Sequence, residues 1–196
     1  MKTEILKIKG DWEEVVDDCR ATVAKPPLGK EPSRAFKRSI LISEHDPIRD
    51  IVVKFRWVLP YWVAMHWKTH IWRSRTNTQR TDRTGIDRSK APQDVPVVFT
   101  GDPNVQHLID TWRKRLCFMA SPETRSYAED FKATLKPVQP EISDVLVPNC
   151  VYRCGCPEPN GCGWYETMVT LYPDLASTDI QKRYDTYNSL FCVKEE

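Results

Sequence analysis

A basic segment between residues 68 and 90 holds side chains suited to chemistry on a phosphorylated ligand. It contains seven lysines and arginines against two aspartates, a net charge of +5, whereas the rest of the chain carries −3. Arginine forks bind phosphate oxygens through paired hydrogen bonds, and a hydroxyl such as that of Thr78 adds a further donor. The segment therefore predicts an anion-binding surface that includes Thr78, Gln79 and Arg80, although a solvated basic loop would have the same composition.

A second group of reactive side chains lies near the C-terminal end. Four of the seven cysteines fall within thirteen residues, namely Cys150, Cys154, Cys156 and Cys162. Four thiolates this close could hold a tetrahedral zinc ion or an iron–sulfur cluster, and we identify them as candidate metal ligands. Their spacing lacks the usual pair of cysteines two residues apart, so a loop of reduced thiols or a redox-sensitive disulfide stays open.

Hydrophobic periodicity predicts the elements that must position these groups. Alternating apolar residues over 51–59 predict a half-buried strand, which Pro60 ends, and a helix follows over 61–72. An apolar stripe over 104–119 predicts another helix, and Ser121 with Pro122 begins the next one.

The two ends of the chain carry further signals. A short strand over 4–8 precedes helices that Asp11 and Ser33 cap, and the C-terminal third predicts a strand over 145–147 and a helix over 178–190. The pattern is that of an α+β (mixed α/β) protein, which we expect to be a single domain over 1–196.

Composition excludes a membrane-spanning protein. The longest mostly apolar run, Trp57 to Met65, has nine residues and contains Pro60, whereas a spanning helix needs roughly 20. The N-terminal residues lack the apolar core of a secretory signal. We therefore expect a cytoplasmic protein in which crowded cysteines indicate metal or redox chemistry before a disulfide framework.

The spacing within the basic segment resembles the signature of flavin-dependent thymidylate synthases. That signature is Arg-His-Arg, then after seven residues a Ser, and one residue later an Arg. Lys68, Thr69 and His70 occupy the triplet, Thr78 the serine and Arg80 the final arginine. The chain departs from the family at all three triplet positions, and a lysine cannot reproduce the paired hydrogen bonds of an arginine.

A second match lies in the helices predicted after residue 104. The family has an Asn, ten residues, an Arg, and after four more residues an Ala-Gln-Trp-Glu-Ile-Arg segment. The chain has matching residues at those spacings without gaps: Asn104, Arg115, Ala120, Glu123 and Arg125. Together the two matches make a divergent member of the family the favoured interpretation, and they do not extend to the cysteines.

The resemblance implies a central mixed sheet flanked by helices, and a homotetramer with sites shared between subunits. The family transfers a one-carbon unit from methylenetetrahydrofolate to C5 of dUMP, with NAD(P)H-reduced FAD supplying hydride. We accordingly divide the chain into a flavin- and nucleotide-binding core over 1–140 and a cysteine-rich segment with a C-terminal helix over 141–196.

The resemblance also implies roles for individual residues of this chain. The resemblance implies catalytic roles for Thr78 and Arg80. It implies substrate binding by Gln79, Arg80, Arg115 and Arg125. It implies cofactor binding by His45, Lys68, His70 and Asn104. Several of these residues also have ordinary structural interpretations, because Asn104 could cap a helix and Arg125 could be a solvated helix charge.

Other functions fit the same residues. The altered triplet could serve a pyrimidine nucleotide hydroxymethylase, or an enzyme acting on dCMP. A non-catalytic protein could use Trp67, Trp72 and the basic segment to bind a nucleotide or a single strand, although nucleic acid is not the favoured partner. A metal-organised interaction module around the cysteines is a further alternative.

Overall fold

The computed structural model of this chain describes residues 3–77, 83, 85, 87 and 89–191. The described residues form four strands and several short helices around one hydrophobic core that draws on residues from Trp12 to Tyr187. The α+β class predicted from the sequence is confirmed.

The sheet has the strand order β1-β2-β4-β3. Its strands are β1 (Glu4–Lys9), β2 (Val52–Pro60), β3 (Ser74–Thr76) and β4 (Pro96–Gly101). All three pairings within the described residues are antiparallel, so the mixed strand directions that the resemblance implied are corrected. Strand β2 fits this arrangement, because its buried side chains alternate with partly or fully exposed ones, as is common in an antiparallel sheet that packs one face on the core.

The first helices begin at the predicted caps. Helix α1 is Trp12–Ala21 and α2 is Arg34–Ile42. The carboxylate of Asp11 accepts the Glu14 N–H at 2.9 Å, and the hydroxyl of Ser33 accepts that of Phe36 at 3.2 Å. A 3-10 turn over Asp46–Asp50 then leads into β2.

Helix α3 (Tyr61–Lys68) follows β2 directly and ends earlier than predicted. The predicted helix extended to residue 72. Instead the chain turns after Lys68, because Trp72 is buried and its indole N–H donates to the Thr111 hydroxyl at 3.1 Å. Because the Trp72 ring is buried away from the helix axis, the predicted last turn of the helix does not form.

The remaining helices follow β4. They are α4 (Val105–Arg115), α5 (Pro122–Leu135), α6 (Pro140–Val145), α7 (Asn149–Arg153), α8 (Trp164–Leu171) and α9 (Ile180–Phe191), with a 3-10 turn at Pro173–Ala176. The strand predicted over 145–147 is wrong, because Val145 ends α6. Leu146 and Val147 are fully buried without pairing to a strand, and a short apolar run cannot distinguish these cases.

The size of the helices bears on membrane insertion. None of those in the described part of the chain combines the length and the apolar character that crossing a bilayer requires.

Aromatic rings fill the space between the sheet and the helices. Trp57 of β2 packs at 4.7 Å against Trp67 of α3, measured between ring centroids. Trp112 of α4 packs at 4.3 Å against Phe131 of α5, and Phe55 of β2 lies 5.0 Å from Phe131. This cluster fixes α3, α4 and α5 relative to one another.

Two buried cations hold the C-terminal segment on the core. Lys132 of α5 donates to the carbonyl oxygens of Ser143 and Leu146, at 2.6 and 2.8 Å. Arg183 of α9 donates to the carbonyl oxygens of Val151 and Tyr152, each at 2.8 Å. Charged donors bind carbonyl groups more strongly than neutral ones, so these residues fasten α6, α7 and α9 together.

We predict that Gly101→Ala destabilises the fold. A Cβ at this position would lie 2.4 Å from the ring of Trp72 and 2.8 Å from that of Phe55, and both rings are buried. The overpacking should lower the free energy of unfolding by about 1–3 kcal/mol, measured by urea denaturation. Gly155→Ala is the matched control, because a Cβ there meets no atom within 4 Å. Equal stability of the two variants would contradict the prediction.

Candidate functional site

The side chain of Arg115 joins the two sequence segments that carry the resemblance. Its Nε donates to His70 Nε2 at 2.8 Å, although the two residues are 45 positions apart. Its Nη2 donates to the carbonyl oxygen of His66 at 2.6 Å and to Thr69 Oγ1 at 3.2 Å. Two of the three triplet positions, Thr69 and His70, therefore contact Arg115 directly.

The end of α3 explains why the guanidinium binds there. The last carbonyl groups of a helix lack partners within the helix and carry partial negative charge. Thr69 caps α3, and its hydroxyl donates to the His66 carbonyl at 2.9 Å. Arg115 adds a cation to the same carbonyl, so the ends of α3 and α4 stabilise each other.

His70 is neutral at physiological pH. Burial, followed by repulsion from Arg115 and Lys114, lowers the pKa of His70 to about 4. Because Nε2 accepts the Arg115 N–H, the ring proton lies on Nδ1. His70 therefore cannot supply the positive charge of the arginine that the family has at this position.

Arg115 is a half-buried cation with no carboxylate partner in the described part of the chain. Burial lowers its pKa, yet an arginine keeps its charge at any physiological pH. The residue two positions earlier differs, because Arg113 pairs with Glu44 and lies 3.4 Å from the ring centroid of Tyr152. Excess positive charge therefore concentrates at Arg115.

A cavity of about 380 Å³ lies beside this end of α4. Its volume is within the range of small-molecule sites. Basic and apolar groups share its walls with thiols, including Lys114, Arg115, Phe118, Trp164, Cys117 and Cys150. Acidic side chains are present as well, at Glu158 and Glu166.

Two of the other residues predicted to bind a cofactor, Asn104 and His45, lie apart from Arg115. Asn104 caps the opposite end of α4, about 16 Å away along the helix axis, and its side chain accepts the His107 N–H at 2.9 Å. His45 is exposed, and its Nδ1 lies 3.8 Å from Cys19 Sγ. Lys68 is exposed at the end of α3. The structure brings His70 to Arg115, places Lys68 next to Thr69 at the same helix end, and leaves Asn104 and His45 elsewhere.

Arg125, predicted to bind substrate, lies on α5. Its guanidinium carbon is 4.1 Å from the ring centroid of Phe118, and its Nε is 3.3 Å from Glu129 Oε1. The pair lacks hydrogen-bond geometry, so Nε is a buried donor without a hydrogen-bond partner in the described part of the chain. Arg125 makes no described contact with Arg115, and its substrate role stays a prediction.

Thr78, Gln79 and Arg80 lie outside the described residues. The catalytic roles of Thr78 and Arg80, and the substrate role of Gln79, therefore stay predictions.

The predicted cysteine cluster is divided. Cys150, Cys156 and Cys162 line the cavity, whereas Cys154 lies in a left-handed turn at φ +57°. The Cys154 thiol accepts from the Tyr165 hydroxyl at 3.6 Å and donates to the Ser177 carbonyl at 3.8 Å.

Cys117 joins the other three thiols on the cavity wall. Burial, then Cys117 and Cys156, raise the pKa of Cys150 to about 12, and burial, with smaller effects of Cys162 and Cys156, raises that of Cys117. Every cysteine within the described ranges is a free thiol, and no three metal-binding side chains there are already gathered around a common point. Sequence spacing did not indicate Cys117, because it precedes the cluster by two helices.

We predict that the loss of stability in a His70→Gln variant depends on pH, because His70 is neutral in the folded chain. At pH 7.5 the variant should be about 1 kcal/mol less stable, because it loses the hydrogen bond with Arg115 in its native geometry. The unfolded chain protonates histidine near pH 6.5 and the folded chain only near pH 4, so the contribution of His70 falls as the pH drops between these values. Urea denaturation at pH 7.5 and 5 should therefore show a smaller difference at the lower pH. A His70 ring that titrates above pH 6 by NMR would contradict the assignment.

The comparisons with known proteins concern the fold. No protein-family model matches the chain, and no curated protein matches it. Among solved structures, a UMP/dUMP methylase, PolB from Streptomyces cacaoi, bound with 5-Br dUMP is similar with a TM-score of 0.59 and 14% sequence identity, covering 74% of this chain and 93% of that chain.

The same methylase bound with 5-Br UMP gives a TM-score of 0.57 at 14% identity, covering 74% of this chain and 92% of that chain. Identity this low shows a shared fold alone. The chain therefore has the fold of a UMP/dUMP methylase.

Proposed function

We propose that this chain binds a uridine monophosphate, dUMP or UMP, and modifies the base at C5. One observation carries the proposal: Arg115 of the second matched segment, a cation without a described carboxylate partner, contacts Thr69 and His70 of the first. The contact occurs in a fold that the chain shares with a UMP/dUMP methylase.

The charge of the site suits a phosphomonoester. Such a group carries between one and two negative charges near neutral pH, and burial strengthens its attraction to a guanidinium. The contacts of Arg115 with described residues use Nε and Nη2, which leaves Nη1 for a ligand. The neighbouring Trp67 adds a buried indole N–H that has no partner among the described residues.

Preorganisation favours binding at Arg115. Three acceptors hold its guanidinium before any ligand arrives, namely His70 Nε2, the His66 carbonyl and Thr69 Oγ1. A side chain that is already ordered loses less conformational entropy when a ligand binds. Neutral His70 would donate from Nδ1 to an uncharged oxygen of the nucleotide.

The resemblance extends the proposal to the reaction. A one-carbon unit would come from methylenetetrahydrofolate, and FAD reduced by NAD(P)H would supply the hydride. Within one protomer the residues assigned to FAD do not form one pocket, because Asn104 and His45 lie apart from His70. The flavin site would therefore need a second protomer of the expected homotetramer. The described residues of this chain would bind and position the ligands, and the catalytic roles of Thr78 and Arg80 stay predictions.

We expect Arg115→Ala to weaken dUMP binding by about 10- to 100-fold, because a charge-assisted hydrogen bond contributes roughly 1.5–3 kcal/mol. Isothermal titration calorimetry measures the loss. Arg153→Ala is the matched control, because Arg153 is exposed and, among the described residues, donates only to Asn149 on its own helix, at 3.1 Å. Equal affinities of the two variants for dUMP would overturn the nucleotide site.

The reaction needs its own test. The purified chain is incubated with FAD, NADPH, methylenetetrahydrofolate and either dUMP, UMP or dCMP, and the product is identified by mass spectrometry. A methylated uridylate supports the proposal. A hydroxymethylated base or a dCMP product would favour the alternative C5 chemistry. Uridylate binding without any turnover would reduce the function to nucleotide binding.

A further inference from the structure

Three separate segments of the chain bring thiols to one cavity. Cys117 follows the end of α4, Cys150 is the second residue of α7, and Cys156 and Cys162 lie on the loop between α7 and α8. We propose that these four cysteines form a tetrahedral zinc site. The thiols share this cavity with Arg115, but the zinc proposal does not rest on the proposed nucleotide chemistry. The site differs from the sequence cluster in one member, with Cys117 in place of Cys154.

The loop from 154 to 163 has little else to order it. Within the described residues, the segment 156–162 contains neither helix nor strand, and its regular structure is limited to a turn at residues 159 and 160. The loop is mostly exposed and contains two prolines and three glycines. A loop of this length without regular structure needs other contacts to hold it, and a structural metal supplies them.

Glycine at 161 shows that the loop closes around a thiol. A Cβ at this position would lie 2.8 Å from Cys156 Sγ, which is closer than real Cβ contacts allow. The loop therefore packs its own backbone against the Cys156 sulfur, which faces the cavity.

The turn at Cys154 explains its exclusion. This residue ends α7 in the left-handed conformation, and its thiol contacts the Tyr165 hydroxyl and the Ser177 carbonyl. The chain then passes through Gly155, and Cys156 is directed to the cavity. Two cysteines separated by one residue thus have different surroundings.

Zinc is the metal that four thiols favour. Thiolates are soft ligands, four of them complete the tetrahedral coordination of a structural zinc ion, and zinc needs no oxidant or reductant to bind. Each thiol loses its proton to solvent as its sulfur–zinc bond forms. The thiols do not yet stand at coordinating spacing, so binding draws the loop toward Cys117 and Cys150.

Metal analysis of matched variants tests the site. The full chain is purified with a reductant, dialysed against zinc and then against buffer, and its metals are measured by mass spectrometry. We expect one zinc ion per wild-type chain, almost complete loss in Cys117→Ser and in Cys156→Ser, and full retention in Cys154→Ser. Zinc that survives Cys117→Ser and is lost in Cys154→Ser would overturn the proposal, as would a wild-type chain with no zinc or with iron and labile sulfide.

Alkylation of the wild-type chain avoids variants that fail to fold. Cys154 and Cys162 are both exposed, so iodoacetamide should modify both in chelator-treated protein. In zinc-loaded protein, peptide mapping should show Cys154 modified as before and Cys162 protected at least tenfold. Equal modification of Cys162 with and without zinc would overturn the site.

Discussion

Ring packing between the sheet and the helices is the constraint on which the rest of the structure depends. Trp67 and Trp112 contact each other at 5.3 Å and thereby tie α3 to α4. Trp112 lies one turn before Arg115, and Trp67 lies three residues before His70, so the same contact sets where both side chains project. Interiors are packed at crystal-like density, so the two helices cannot slide past each other without opening voids. The Arg115–His70 hydrogen bond is a consequence of this core.

Sequence patterns predicted the elements best where a local rule decides the outcome. The predicted caps at Asp11, Ser33 and Ser121 all accept a backbone N–H, because a side-chain oxygen satisfies a free helix donor wherever the helix lies. The errors occurred where the core decides instead. Trp72 was predicted to end a helix but lies outside it, because its ring is buried in the core. The apolar residues after Val145 are also buried, without pairing as a strand.

The functional residues divide in the same way. Spacing predicted substrate binding by Arg115 and cofactor binding by His70, and the two side chains are in contact. Spacing could not give the charge of His70, because burial and neighbouring cations set it and both depend on the tertiary structure. Spacing could not identify Cys117 either, because two helices separate it from Cys150 in the sequence and only the folded chain brings the two residues to one cavity. Asn104 behaves as the ordinary helix cap that the sequence allowed.

The guanidinium of Arg183 has a consequence for how the molecule can be divided. It anchors the final helix to carbonyl groups of α7, about thirty residues upstream. In a truncated chain that stopped before Ile180, those carbonyl oxygens would lose the Arg183 donor. Each oxygen that remained buried without a hydrogen bond would reduce the free energy of unfolding by about 1–3 kcal/mol. Fragments intended for separate study therefore have to retain the last helix together with α7.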